Sequence, residues 1–178
     1  MSINENDDPS SELFCTIAAG ITYMAVDSTE TRAEPTLLRA AEAMRNGAYD
    51  DTGLYPQAMA NLANIYIRKN EFQKGISLCQ EVMEQSNKLQ NPRGAMLAAI
   101  NLCGNYTELN FFDRALHYNN EGLRLFREDN ETWGMAASLY ERRALIYKRM
   151  GLIDSAFLAL NLADSFYICL LYTSPSPR

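Results

Sequence analysis

Apolar and polar residues along the chain alternate with the helical period of about 3.6 residues, and the pattern comes in blocks. In Ala98–Leu123, Ala99, Leu102, Cys103 and Tyr106 fall at i, i+3, i+4 and i+7, one face of a helix. Ala58–Met83 and Leu139–Ala163 carry the same skeleton, so that Tyr66, Tyr106 and Tyr147 stand forty and then forty-one residues apart. Asn70, Asn110 and Gly151 follow in register, residue types that tolerate the left-handed conformation a helix C-terminus needs. A sharp turn is predicted there. Phe72, Phe112 and Ile153 then open a second helix, and Gly75, Ala115 and Ala156 give it a small face, continued at Val82, Gly122 and Ala163. Self-similarity at this period predicts an all-α chain of stacked helical hairpins.

The pattern resembles the tetratricopeptide repeat (TPR). The matching positions are Leu62, Ala63, Tyr66, Gly75 and Val82, then Leu102, Cys103, Tyr106, Ala115 and Gly122, and last Ala144, Tyr147, Ala156 and Ala163. The resemblance covers roughly 56–167 and implies a right-handed α-solenoid of antiparallel helix pairs, with about four helical hairpins, the first degenerate. Three TPR-like repeats are expected within 54–168, at about 56–92, 93–131 and 132–168. The chain departs from the family's pattern in lacking the closing proline, in showing the early aromatic only as Tyr140, and in placing Arg143 where a leucine is expected. Its period also exceeds the family's unit of about 34 residues. Counting along the copies puts the extra residues around Met83–Ala95, where Asn91 and Pro92 mark a break. Longer units resemble those of TPR subfamilies found in signalling regulators.

Ahead of the repeats, residues 1–8 are polar and acidic and are expected to be disordered, with neither the charge nor the apolar run of a signal peptide. Residues 9–47 read as a degenerate first hairpin or N-terminal cap. Asp8 and Pro9 start one helix, lined by Leu13, Ile17, Ile21 and Met24, and Pro35 starts another, with Leu37, Ala41 and Met44 before Gly47. As written the protein is expected in the cytoplasm; a true start upstream would allow a periplasmic or membrane-anchored one. The last ten residues, CLLYTSPSPR, resemble a translated sequencing-library adapter, so 169–178 are set aside as a non-native tail. On that reading the chain is a fragment, with further repeats, an output domain or a homodimer contact to be found beyond Ile168.

Composition narrows the function. With 47% hydrophobic and 21% charged residues, the 178-residue chain can bury a sizeable core. A net charge of −6 without a Lys/Arg cluster argues against nucleic acid, whose binding rests on phosphate neutralisation. No membrane span is expected in this fragment. His117, the single histidine, has no partner at catalytic spacing, and a partly exposed histidine is the better reading. Cys15, Cys79 and Cys103 are dispersed, with the last two at small core positions, so free thiols are expected and no metal site. The glycines form no phosphate-cradling loop, and Asp50 and Asp51 lie in a turn-like segment. No catalytic residue and no cofactor is predicted.

What remains is the surface of a solenoid. In the family resembled here, the first helix of each unit lines a concave groove. That implies Gln57, Asn64, Ile67 and Arg68 from the first copy, Leu97, Ile100, Thr107 and Glu108 from the second, and Glu141, Leu145, Lys148 and Arg149 from the third. Such a groove has an apolar floor and polar groups able to hold a peptide backbone or carboxylate. Of the Lys and Asn set with which chaperone-binding members grip a terminal carboxylate, only Asn64 and Arg68 match. A second surface is Leu158, Leu162 and Phe166, outward positions where earlier copies carry mostly polar residues. The expectation is a non-catalytic module that binds a protein or peptide segment, part of a longer bacterial-type signalling regulator. The alternatives are an assembly scaffold and, remotely, a helical-toroid hydrolase.

Overall fold

A computed structural model describes residues 15–20, 22–23, 31–45, 54–126 and 130–173. The predicted disorder at 1–8, the Asp8–Pro9 helix start, Leu13, Ile21, Met24, Gly47, the Asp50–Asp51 pair and the last residues of the tail lie outside these. Every described element is a helix, and no strand occurs among the described residues. A helical segment over residues 15–20 is α1; then come α2 (Ala33–Arg45), α3 (Leu54–Arg68), α4 (Phe72–Lys88), α5 (Pro92–Glu108), α6 (Phe112–Arg124), α7 (Asn130–Arg149) and α8 (Ile153–Thr173). The chain divides into two compact units, Met1–Leu78 and Cys79–Arg178, with α4 running through the division.

The turns follow one piece of backbone chemistry. At the ends of α3, α5 and α7, Asn70, Asn110 and Gly151 have φ of 60°, 59° and 78°. The next amide reaches back to the tyrosine carbonyl in each case: Glu71 N donates to Tyr66 O at 2.8 Å, Phe111 N to Tyr106 O at 2.9 Å, and Leu152 N to Tyr147 O at 2.8 Å. The left-handed residues donate to Ile67, Thr107 and Lys148 O at 2.9, 3.1 and 3.1 Å. This pair of bonds is a Schellman cap, which satisfies carbonyls a helix end would otherwise orphan. A fourth copy closes α4, where Gln90 has φ of 54° and Asn91 N donates to Ser86 O at 2.8 Å. Glutamine carries no left-handed preference, so the sequence pattern gives no warning of it. Asn91 and Pro92 do mark a boundary: the Asn91 side chain accepts from Gly94 N at 3.0 Å and Pro92 opens α5, where a missing N–H costs nothing. Within 83–95, where the count along the copies puts the extra residues, α4 continues to Lys88 and α5 starts at Pro92, so only the turn between them is not helical.

In the first unit α2 packs on α3. Leu37, Ala40 and Ala41 are buried with Ile17 of α1. Gly20 allows the approach of Leu37, for an added Cβ would lie 2.7 Å from its Cδ2. Glu34 and Lys69 pair across the ends of α2 and α3.

In the second unit α5 packs on α6, α7 lies against both, and α8 pairs with α7. The three-helix junction is centred on Gly122 of α6. A Cβ there would stand 2.8 Å from Leu139 Cδ1 and 3.0 Å from Ala99 Cβ, so the glycine seats α5 and α7 at one point. Leu102, Cys103, Ala115, Ala136 and Ile146 complete the core. Tyr106 stacks on Tyr118 with centroids 5.5 Å apart. Near the start of α7, Trp133 meets Phe126 and Phe166 edge-on or tilted at 5.2 Å, and Tyr140 stacks on Phe166 at 5.4 Å.

Gly122→Val is expected to destabilise the protein by about 1–3 kcal/mol, through overpacking against Leu139 and Ala99. Urea unfolding of the full chain measures it; an unchanged midpoint would mean the junction is looser than described.

Candidate functional site

The last two helices leave a groove open. α8 lays the small residues Ala156, Ala159 and Ala163 on α7, all buried, so the helices approach closely and the larger side chains are pushed to the flanks. On one flank a pocket of about 410 Å³ opens between the helices. Glu141, Ala144, Leu145 and Lys148 line it from α7, and Ile153, Ala156, Phe157 and Leu160 from α8. Its walls are mainly apolar, with Glu141 and Lys148 as opposite charges on one helix, about two turns apart. Near Glu141, the Tyr167 hydroxyl is hydrogen-bonded with Ser138 and Glu141, and burial is the main cause that pushes this phenol up. Lys148 is exposed. Such a site offers apolar contact and two charge anchors, the chemistry of recognition by shape.

The predicted groove residues fall into separate surroundings. Glu141, Leu145 and Lys148 come together in this pocket. Gln57, Asn64 and Ile67 are half-buried on α3 and Arg68 is exposed, all in the first unit. Leu97 and Ile100 are half-buried on α5. Thr107 faces no groove: it is 1% exposed, and its hydroxyl donates to Cys103 O at 2.7 Å, as a threonine inside a helix often does. Arg149 is a brace. It donates to Thr107 O and to both carboxylate oxygens of Glu108, each at 2.9 Å, tying the end of α7 to the end of α5. Glu108 is thus engaged as well, and neither charge stands ready for a ligand.

The second predicted surface is corrected at one position. Leu158 and Leu162 are 65% and 46% exposed, but Phe166 is half-buried in the aromatic cluster with Phe126, Trp133 and Tyr140. Positions four apart advance by about 40° around a helix, so the row drifts from solvent at Leu158 toward α7 at Phe166. α8 also continues to Thr173, past the point where the tail was set aside. Against the expectation of no membrane span, Ile153–Tyr172 is long and apolar enough to cross one by length and composition, with mean hydropathy 1.4 and 17% of it buried.

A polar network went unseen in the sequence. Asn119 of α6 is fully buried; its Nδ2 donates to Leu139 O at 2.6 Å and lies 3.8 Å from Cys103 Sγ. Its Oδ1 accepts from Arg143 Nε at 2.7 Å, while the other end of the guanidinium reaches Asn120 Oδ1 and the head lies over the Tyr140 ring. Arg143 at a leucine position is therefore compensated by two asparagines twenty-odd residues earlier. The only signal was Arg143 itself, a charged residue where the repeat pattern expects a leucine.

Burial pushes the Cys79 thiol up to about 12 and raises Cys103, while Cys15 is exposed. His117 is exposed beside Tyr118. Among the described residues no three His, Cys, Asp or Glu side chains gather as metal ligands.

No protein-family model matches the chain, and no curated protein does. Among solved structures it is similar to the crystal structure of BtubC (BKLC) from P. vanneervenii, with a TM-score of 0.54 and 14% identity over 99% of this chain and 96% of that one. At this identity the likeness speaks for the helical fold alone.

Asn119→Leu is expected to cost on the order of 1–3 kcal/mol, because it strands Arg143 at a half-buried site. The double variant with Arg143→Leu should cost clearly less than the two single changes added together. Chemical unfolding of the three variants checks it. Cys79 gives a second expectation. Its folded pKa lies above the ordinary value of 9.0, so its contribution to stability is intact below that value and lost as pH climbs toward 12. Between about pH 8 and about pH 10 the parent should lose more stability than Cys79→Ala, measured as urea midpoints.

Proposed function

We propose that the chain is a non-catalytic binding module, built as a TPR-like right-handed solenoid of antiparallel helix pairs, and that it holds a peptide or protein segment. The observation that carries this reading is the groove between α7 and α8, where Leu145, Ile153, Phe157 and Leu160 leave apolar surface open beside Lys148 and Glu141. Exposed apolar surface of this kind, bordered by charge, is characteristic of interaction sites. The three matching caps after Tyr66, Tyr106 and Tyr147 support the repeat reading, since the same hydrogen bonds recur at the same register. A second reading, an assembly scaffold, is favoured by one separate observation: Leu158 and Leu162 are exposed on the flank away from the groove.

Selection of displayed random peptides on the full chain tests the proposal. Enriched peptides should bind at least tenfold more weakly to Lys148→Glu, whose melting curve stays that of the parent because Lys148 is exposed. Enrichment no better than on an unrelated protein, or binding indifferent to Lys148, would overturn it.

A further inference from the structure

The groove has an internal counterpart that is already filled. Moving each of its eight lining residues back by forty-one positions gives Ile100, Cys103, Gly104 and Thr107 on α5, then Phe112, Ala115, Leu116 and Asn119 on α6. That surface is covered by a helix, α7. An added Cβ at Gly104 would stand 3.4 Å from Arg142 Nη1; Asn119 accepts from Arg143 at 2.7 Å and donates to Leu139 O at 2.6 Å; Thr107 O accepts from Arg149 at 2.9 Å. The open groove thus repeats, one unit on, a surface shaped to seat a helix. Its chemistry differs at the contact positions. Where α7 meets Gly104 and Asn119, the groove presents Leu145 and Leu160; where Arg149 meets Thr107, it presents Lys148.

Resting on the binding function proposed above, we infer that the groove between α7 and α8 receives an amphipathic α-helix of a partner protein, apolar where α7 carries Arg142 and Arg143 and acidic where it carries Arg149. Two arguments fix that occupant. Arginines set against Leu145 and Leu160 lose their hydrogen-bond partners on desolvation, so only apolar side chains fit there. A cation opposite Lys148 is repelled, and a carboxylate is attracted to Lys148 at the edge of an apolar cleft. The mode is helix-in-groove recognition, with apolar anchors on one face of the ligand.

The probe is a synthetic peptide with the sequence of α7, Asn130–Arg149, carrying Arg142→Leu, Arg143→Leu and Arg149→Glu. Binding to the full chain is followed by fluorescence anisotropy, and helix formation by circular dichroism. The peptide should bind, gain helicity on binding, and outcompete the unaltered α7 peptide at least tenfold. Phe157→Glu and Leu160→Glu should each weaken it tenfold or more, and as the side chains are 65% and 45% exposed the fold should survive. Lys148→Glu should reverse the preference toward a peptide that keeps Arg149.

Equal binding of the altered and unaltered peptides would overturn the inferred chemistry. So would an additional Ile146→Pro change that leaves affinity intact: the ligand would then be extended, and the broader peptide-binding reading would stand while the helical one fell. Absence of binding to the altered peptide, beside successful selection of other peptides, separates the two in the same way. Concentration-dependent self-association abolished by Phe157→Glu would assign the groove to a second copy of this chain. Phe157-dependent flotation with phosphatidylcholine vesicles would assign it to a lipid surface. Either result removes the partner helix.

Discussion

One turn of α6 sets the arrangement of the second unit. Gly122 lets Leu139 of α7 and Ala99 of α5 reach the same point, and Asn119, one turn earlier, holds the backbone of α7 through Leu139 O. The glycine supplies room and the asparagine supplies direction. Close packing without a directional bond would let α7 slide, and the bond without the glycine would hold it too far away for dispersion contact. Arg143 and Arg149 then secure α7 further along, on Asn119 and on Thr107 and Glu108. These polar contacts are partly buried and hydrogen-bonded, which is what makes charge near a core tolerable.

The open groove follows from the same geometry taken one unit further. α8 keeps the small face that close pairing requires, at Ala156, Ala159 and Ala163, but the positions that meet the next helix in the previous unit are large and apolar here. A helix whose apolar surface exceeds what its neighbour covers leaves the remainder in water at a cost of about 25 cal/mol per Å². That uncompensated surface is the driving force available to a ligand. In the binding proposed for this groove, Lys148 and Glu141 would contribute orientation more than affinity, being charges near solvent.

Cys79, Cys103 and Gly122 sit at packed positions, and His117 is exposed. Cys79 and Cys103 lie in the core with raised thiol pKa values. A thiol held protonated is a poor nucleophile and a poor metal ligand, so these two serve as small hydrophobes.

The sequence by itself determined the helices and three of the turns, because both are local: the spacing of Ala99, Leu102, Cys103 and Tyr106 needs only its own helix, and Asn70, Asn110 and Gly151 need only the carbonyls just before them. The apolar excess of α8 was legible at Leu158 and Leu162 for the same reason. The turn at Gln90 was not, since a glutamine enters the left-handed region only when the hydrogen bonds of the cap outweigh its own preference. The placement of side chains belonged to the tertiary structure. The family resemblance implied a groove holding Thr107, Glu108 and Arg149, but Thr107 turned back onto its helix and the two charges found each other forty-one residues apart. Phe166 left the outer row because an aromatic cluster lay within its reach, and Arg143 was accommodated by asparagines on another helix. A one-dimensional pattern fixes which face of its own helix a residue occupies; which neighbours fill that face, and what they leave uncovered, depends on pairings the pattern does not encode.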